Sequence, residues 1–232
     1  MLCRTSISFL VFLSTVHSLF AAAPWEDEVR EQWWFDRHNG FLNQIRANAS
    51  GIRVVFLGDS ITEGWLGGAR NLWNQHYAAR GAVNFGIGGD RTQHILWRIH
   101  NGELDGIQPK LIVLKIGTNN VGGNTADDIT RGITKIVQDI RAKLPQARLL
   151  LLSILPRNNG AFNNKIPSIN TAISKLDDNY WVKYLDLTWN FQDAVDHVIP
   201  ELFTADLLHL ALPGYQMWYQ SMEPLFYDML NY

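Results

Sequence analysis

Short apolar runs alternate along the chain with longer amphipathic segments. The apolar runs, rich in Val, Ile and Leu, occupy 52–57, 82–86, 110–116, 147–154 and 181–187. Segments with a helical period occupy 69–80, 92–100, 126–143, 163–178 and 213–229. Apolar runs of this kind are typical of parallel strands buried on both faces, and alternation with helices implies right-handed crossovers. The pattern therefore predicts an α/β fold, a three-layer α/β/α sandwich around a five-stranded parallel sheet of flavodoxin-like order.

The segment 126–143 shows how one of these helices is specified. Asp127 and Asp128 fall in its first turn, where a helix favours negative charge. An isoleucine-rich stripe follows at helical spacing, and the segment ends just before Pro145. The region 25–49, ahead of the first apolar run, is predicted to be a helical lead-in that packs on the sheet.

The N-terminus has the pattern of a secretory signal peptide. A short basic lead ending at Arg4 precedes an apolar run at 7–16, and small residues follow up to Ala23. The run is too short to span a membrane. We expect a signal peptide at 1–23 and a single domain at 24–232, although Pro24 leaves a cut after Ser18 open. The predicted location is therefore outside the cell.

Composition agrees with one domain that has a full hydrophobic core. The chain has 232 residues, of which 47% are hydrophobic and 18% are charged. A formal charge of -2 gives no basic surface for nucleic acid and little attraction to an anionic membrane. No metal-ligand spacing occurs, so we expect neither a metal nor another cofactor, and no stable membrane insertion.

Two features of the sequence bear on secretion. The sole cysteine, Cys3, lies in the predicted leader, so the mature chain would fold without disulfides. Asn48, followed by Ala49 and Ser50, forms an N-glycosylation sequon just before the first strand. Asn48 is therefore a predicted glycosylation site.

The first candidate for chemistry is Ser60. It follows the strand at 52–57 after Gly58 and Asp59, so it is expected at the sheet edge where open α/β folds bind ligands. A serine there could also simply cap the next helix. The surrounding residues do not form the G-x-S-x-G elbow of α/β-hydrolases.

Asp206 and His209 supply the groups that a serine nucleophile needs. They are three positions apart, near the C-terminal end of the chain. Serine is a poor nucleophile at neutral pH unless an imidazole takes its proton and a carboxylate fixes the imidazole tautomer. Ser60, His209 and Asp206 are therefore predicted to form a catalytic triad.

Two further segments offer donors for a negative oxygen. The glycine-rich turn at 84–92 exposes backbone N–H groups, although it could instead cradle a phosphate. Its spacing matches neither a P-loop nor the G-x-G-x-x-G fingerprint. Asn119 follows the strand at 110–116 and brings an amide donor to the same edge, although an Asn there is often only a turn residue.

These blocks, in this order, resemble the SGNH or GDSL-type hydrolases. Within that superfamily the sequence most resembles the catalytic subunits of type-I (IB) platelet-activating factor acetylhydrolase, from about Trp33 to the C-terminus. The resemblance implies that Ser60 is the nucleophile, with Asp206 and His209 completing the triad. It also implies an oxyanion hole formed by the Ser60 N–H, the Gly89 N–H and the Asn119 amide. It implies a small acyl pocket lined by Ile61, Thr118 and Leu208.

Three functions remain open from the sequence. The first is a secreted esterase that removes short acyl groups, chiefly acetyl, from a small acylated lipid. The second is a polysaccharide acetylesterase in which tryptophans such as Trp65, Trp73 and Trp97 stack on sugar rings, although they could equally pack in the core. The third is a secreted binding protein that keeps the fold without turnover. The resemblance also allows a homodimer, but the subunits it resembles are cytosolic, which differs from the predicted location.

Overall fold

The computed structural model describes residues 22–158, 162 and 164–231. The predicted signal peptide at 1–23 lies outside the described residues except for its last two positions. The described chain contains one five-stranded sheet in the order β2-β1-β3-β4-β5, with every neighbouring pair parallel. The strands are β1 Val54–Gly58, β2 Ala82–Gly86, β3 Leu111–Lys115, β4 Arg148–Leu152 and β5 Val182–Leu185. This is the predicted flavodoxin-like order.

Helices cover both faces of the sheet. They are α1 Gln32–Asn48, α2 Ser60–Glu63, α3 Arg70–His76, α4 Thr92–His100, α5 Ala126–Lys143, α6 Lys165–Ile173, α7 Thr188–Phe191 and α8 Leu212–Asn231. Within the described ranges, none of these helices combines the length and the apolar character that a membrane crossing requires.

Alternate residues of each strand enter two separate cores. In β1, Val55 and Leu57 join the core beneath α1, α4, α5 and α6, whereas Val54 and Phe56 join the core beneath α3 and α8. All five β1 residues are buried, because the strand pairs with β2 on one side and β3 on the other. The three-layer α/β/α sandwich is therefore confirmed.

The ends of several elements differ from the prediction. The predicted helix at 69–80 is split into α3 and a short 3₁₀ turn at Ala78–Arg80. The predicted helix at 163–178 begins at Lys165 and also finishes as a 3₁₀ turn. The lead-in at 25–49 is helical only from Gln32 onward, and residues 22–31 form a non-helical segment that we call the N-terminal arm.

Two of the tryptophans considered for sugar stacking lie in the core. Trp65 and Trp73 are buried in the same cluster as Phe56. Trp97 is half-buried, and its ring packs against Trp34 with a centroid distance of 5.0 Å. Stacking of sugar rings on Trp65 or Trp73 is therefore wrong, because neither ring has a face open to solvent.

Candidate active site

Ser60 is the first residue of α2, at the carboxyl end of β1. Asp59 caps this short helix, since its Oδ1 accepts a hydrogen bond from the Ile61 N–H at 2.9 Å. The alternative in which Ser60 serves as the cap is therefore wrong. The strand-to-helix turn instead leaves the Ser60 hydroxyl at the sheet edge.

The three predicted triad residues come together at that edge. The Ser60 Oγ lies 2.8 Å from His209 Nε2, and His209 Nδ1 lies 2.6 Å from Asp206 Oδ2. A carboxylate can only accept, so Nδ1 carries the proton and Nε2 accepts from the serine hydroxyl. This is the order of contacts that removes a proton from a serine.

A turn, rather than a helix, presents Asp206 and His209. Asp206 Oδ1 accepts hydrogen bonds from the Thr204 hydroxyl at 2.7 Å, the Leu208 N–H at 3.0 Å and the His209 N–H at 2.9 Å. Burial raises the pKa of Asp206, but the bonds from His209, Thr204 and Leu208 outweigh it and hold that pKa well below its ordinary value. The carboxylate therefore stays ionised at neutral pH.

The glycine-rich turn lies directly beside the serine. A Cβ added to Gly88 would be only 3.8 Å from the Ser60 Cβ. Gly89 has a φ of 78°, a left-handed conformation that favours glycine. Asn119, in the 3₁₀ turn after β3, donates from its side-chain Nδ2 to the Asp90 main-chain oxygen at 2.8 Å. The structure thus brings the Gly89 and Asn119 segments to the same side of Ser60.

Glu63 was not predicted, yet it fixes the glycine-rich turn. Its Oε2 accepts from the Gly88 N–H at 2.8 Å, and its Oε1 pairs with Arg37 of α1 at 2.6 Å. Glu63 lies three residues after Ser60 on the same short helix, and this spacing is the feature of the sequence that could have predicted its place at the site. Glu63 couples the helix that begins with Ser60 to the turn that carries Gly89.

A buried ion cluster, also not predicted, lies beneath the same turn. Asp90, Arg98 and Glu103 are fully buried, and Arg98 pairs with both carboxylates, at 3.0 Å for Asp90 Oδ2. The Trp34 indole N–H donates to Asp90 Oδ1 at 2.8 Å. Burial raises the pKa of Asp90 to about 6, although Arg98, Trp34 and Arg30 oppose the shift. The cluster therefore holds Asp90, at the end of the glycine-rich turn, in a fixed position.

The three predicted pocket-wall residues differ in exposure. Ile61 and Thr118 are buried, whereas Leu208 is partly exposed beside His209. Arg157, which was not predicted, donates from Nη1 to the Thr118 carbonyl oxygen at 3.0 Å and to its hydroxyl at 3.1 Å. Thr118 is therefore held in place by Arg157, Ile61 packs in the core, and Leu208 borders solvent.

The last predicted site residue, Asn48, is the exposed final residue of α1. An exposed sequon is accessible to modification, and glycosylation there stays a prediction. Across the described ranges no three His, Cys, Asp or Glu side chains form a group that could hold a metal ion.

Comparison with known proteins identifies the family of this chain. The family model of GDSL-like lipases and acylhydrolases matches residues 56–217. The chain is 34% identical over 213 residues to the alpha1 subunit of platelet-activating factor acetylhydrolase IB from Bos taurus, covering 90% of this chain and 88% of that one. It is 35% identical over 212 residues to the alpha2 subunit from Rattus norvegicus, covering 89% of each.

A solved structure shares the fold. A GDSL-like lipase from Bacteroides thetaiotaomicron superposes with a TM-score of 0.69 at 21% identity, covering 84% of this chain and 98% of that one. At that identity the likeness supports the fold alone. The family match and the identity to the two acetylhydrolase subunits show that this chain belongs to the GDSL-like lipase/acylhydrolase family and is a carboxylic ester hydrolase.

Proposed function

We propose that the chain is a secreted serine esterase that removes short acyl groups, with acetyl preferred, through an acyl-enzyme on Ser60. The observation that carries the proposal is the continuous hydrogen-bonded chain from Ser60 Oγ through His209 to Asp206, with distances of 2.8 and 2.6 Å. An imidazole held in this way can take a proton from serine and later return it.

The reaction proceeds in two half-reactions. In the first, the Ser60 proton passes to His209 Nε2 while Oγ bonds to the acyl carbon. The ester C–O bond then breaks, and the departing alcohol takes the proton from His209. In the second, a water gives a proton to His209 and attacks the acyl carbon, which releases the carboxylic acid and returns the proton to Ser60.

The developing negative oxygen would be held by three donors. These are the N–H groups of Ser60 and Gly89 and the second side-chain N–H of Asn119, since the first is bonded to Asp90. Such donors act most strongly when they are fixed before the reaction begins. The anchoring of the turn by Glu63 and Asn119 supports this role.

Acetyl is the preferred acyl group under this proposal. The bovine and rat relatives are acetylhydrolases by name. Ile61 directly follows Ser60 and Thr118 directly precedes Asn119 in the sequence, and both are buried. A closed wall turns each added methylene from a gain in binding into a clash.

An acetylated carbohydrate is the second candidate substrate. Trp65 and Trp73 cannot support it, but Trp33 is 45% exposed, and the centre of its ring lies 4.6 Å from the Arg30 guanidinium. An exposed indole is a suitable surface for a sugar ring.

Release of acetate from matched substrates distinguishes these candidates. The purified chain is incubated with p-nitrophenyl acetate, an acetylated ether phospholipid and acetylated xylo-oligosaccharides, with Ser60→Ala as the control. The proposal expects acetate from the first two. Release from the sugar but not the lipid would favour the carbohydrate candidate, and no release from any substrate would favour a binding protein.

Secretion, glycosylation and a homodimer are parts of the proposal with separate tests. Expression with the native leader should deliver the chain to the medium with Pro24 as its first residue, or Leu19 if the cut follows Ser18. Asn48→Gln should remove the mass of one glycan. Retention of the uncut chain inside the cell would contradict secretion, and sedimentation analysis gives the oligomeric state.

A further inference from the structure

The N-terminal arm is firmly attached to the domain. The Glu28 N–H donates to the Gln93 carbonyl oxygen at 3.2 Å, and the Glu28 carboxylate pairs with Arg91 at 2.8 Å. The Arg131 guanidinium lies 3.7 Å from the centre of the Trp25 ring. These contacts hold the arm against α4 and α5.

A glycine in α5 makes room for the arm. A Cβ at Gly132 would collide with the Pro24 carbonyl oxygen. The arm therefore approaches the helix backbone more closely than any other residue at this position would allow. This close contact at Gly132 fixes the path along which the arm runs from α5 to the glycine-rich turn.

That path ends with Arg30 on the glycine-rich turn. Arg30 Nη1 donates to the Gly88 carbonyl oxygen at 2.7 Å and to Asp90 Oδ1 at 3.1 Å. A Cβ at Gly89 would lie 3.0 Å from Arg30 Nη2. The side chain is only 19% exposed, so its bonds are shielded from solvent. The guanidinium thus lies along the backbone of the turn.

The Gly88 carbonyl and the Gly89 N–H belong to one peptide group. Because that group is planar and trans, a donor that fixes the direction of the C=O also fixes the direction of the N–H, which points the opposite way. A charged donor on the oxygen also polarises the amide and strengthens its N–H as a donor. Arg30 is placed to do both.

We propose that Arg30 is a positioning residue, which orients and polarises the Gly88–Gly89 peptide so that its N–H can stabilise the negative oxygen. The inference rests on the proposed function, because it assigns the Gly89 N–H to the oxyanion hole. Arg30 itself touches no reacting atom. The N-terminal arm thereby acts on the reaction only through the orientation of the Gly88–Gly89 peptide by Arg30.

The test compares Arg30→Ala with Arg131→Ala. Arg30→Ala removes an arginine of the arm that contacts the turn, whereas Arg131→Ala removes an arginine of α5 that contacts Trp25 of the arm. Direct loss of an oxyanion donor costs about 10²–10³ in kcat, so we expect Arg30→Ala to lose on the order of 10- to 100-fold with little change in KM. Arg131→Ala should stay within about twofold of wild type.

Three further readouts separate positioning from a merely structural role. Phosphorylation of Ser60 by diethyl p-nitrophenyl phosphate should slow in Arg30→Ala by a factor similar to that for kcat, because its transition state also places a charged oxygen in the hole. Arg30→Lys, which keeps a charged donor, should recover part of the loss. The hydrogen-exchange rate of the Gly89 amide should change in Arg30→Ala, which removes the charged donor from the Gly88 oxygen, and should stay at the wild-type value in Arg131→Ala.

Two results would overturn the inference. One is that Arg30→Ala keeps both its kcat and its Gly89 exchange rate close to wild type. The other is that Arg131→Ala loses as much kcat as Arg30→Ala. Where Arg30→Ala fails to fold, Arg30→Lys decides by the same measurements. If wild type shows no esterase activity while Gly89 exchange still depends on Arg30, the proposed function fails and the orientation of the peptide by Arg30 stands.

Discussion

The Asn119 side-chain amide donates a hydrogen bond to the main-chain oxygen of Asp90 at 2.8 Å. This bond links the turn after β3 to the glycine-rich turn after β2, so the two segments that are predicted to offer oxyanion donors are joined before any substrate binds. Asn119 therefore has one structural bond before substrate binds, and its second N–H has no acceptor among the residues that the structure describes.

The two uses of Asn119 predict a mixed outcome for Asn119→Ala. Loss of a transition-state donor should lower kcat by about 10²–10³ with little change in KM. Loss of the bond to Asp90 should lower the free energy of unfolding by about 0.5–1.5 kcal/mol. Steady-state kinetics and thermal melting on the same preparation measure both.

The neighbouring Asn120 provides the matched control. Its Oδ1 accepts from the Thr92 N–H at 3.0 Å and its Nδ2 donates to Gln93 Oε1 at 2.9 Å, so its bonds are internal to the fold. Asn120→Ala should lose stability while its folded fraction keeps a near-normal kcat. Equal kcat losses in the two variants would argue that Asn119 acts only through structure.

The second prediction concerns pH and Asp206. The pKa of Asp206 is lowered in the folded chain relative to about 3.9 for a free carboxyl. The ionised group therefore stabilises the fold above that pH, and its contribution is lost as the pH falls through the folded value. Loss of activity at milder acidity should then not include protonation of Asp206.

A profile of kcat/KM against pH checks this expectation. Its logarithm should rise with a slope of one and then become flat. Asp206→Asn should lower the plateau by about 10⁴, because an amide favours the wrong imidazole tautomer, while the fold persists. A slope of two, or an Asp206→Asn plateau near wild type, would contradict the assigned roles.

The third prediction is selectivity for short acyl groups. Rates on p-nitrophenyl esters should fall from acetate to butyrate and nearly vanish at octanoate. Leu208→Ala should recover some octanoate activity, because each methylene that finds apolar room gains about 0.8 kcal/mol. Leu212→Ala, at an exposed position in α8, should leave the chain-length profile unchanged. A wild-type preference for octanoate would refute the acetyl assignment.

The fourth prediction concerns the buried ion cluster. Arg98→Met removes the cation between Asp90 and Glu103 and leaves two buried carboxylates without it. Breaking a buried pair in this way should lower the free energy of unfolding by about 3–5 kcal/mol. Urea denaturation measures the change. Arg46→Met, at an exposed site on α1, should change stability by less than about 0.5 kcal/mol, and similar losses in both variants would contradict the account.

The sequence predicts best what depends on local pattern. The apolar runs located all five strands within a few residues, since strands buried on both faces need continuous apolar sequence. Asp206 and His209 are three positions apart in one turn, so their pairing could be expected before the fold was known. Ser60 follows a strand, which predicts its place at the sheet edge.

The sequence fails where contacts join distant segments of the chain. Arg30 and Gly88 are 58 positions apart, and His38 and Glu103 are 65 apart, so no spacing connects either pair. In the sequence, Arg98 and Glu103 look like ordinary surface charges. Their burial depends on how α1 packs over α4, and this packing is not visible in the sequence. The bond from Asn119 to Asp90 likewise appears only when β1, β2 and β3 are adjacent.

Covalent labelling of Ser60 tests the central claim most directly. The purified chain is treated with diethyl p-nitrophenyl phosphate, and esterase activity, intact mass and the site of modification are followed together. The account predicts one diethylphosphoryl group per chain, on Ser60, with activity lost in proportion to labelling and no labelling of Ser60→Ala. Full activity in Ser60→Ala, or inactivation with the label on another residue, would contradict it.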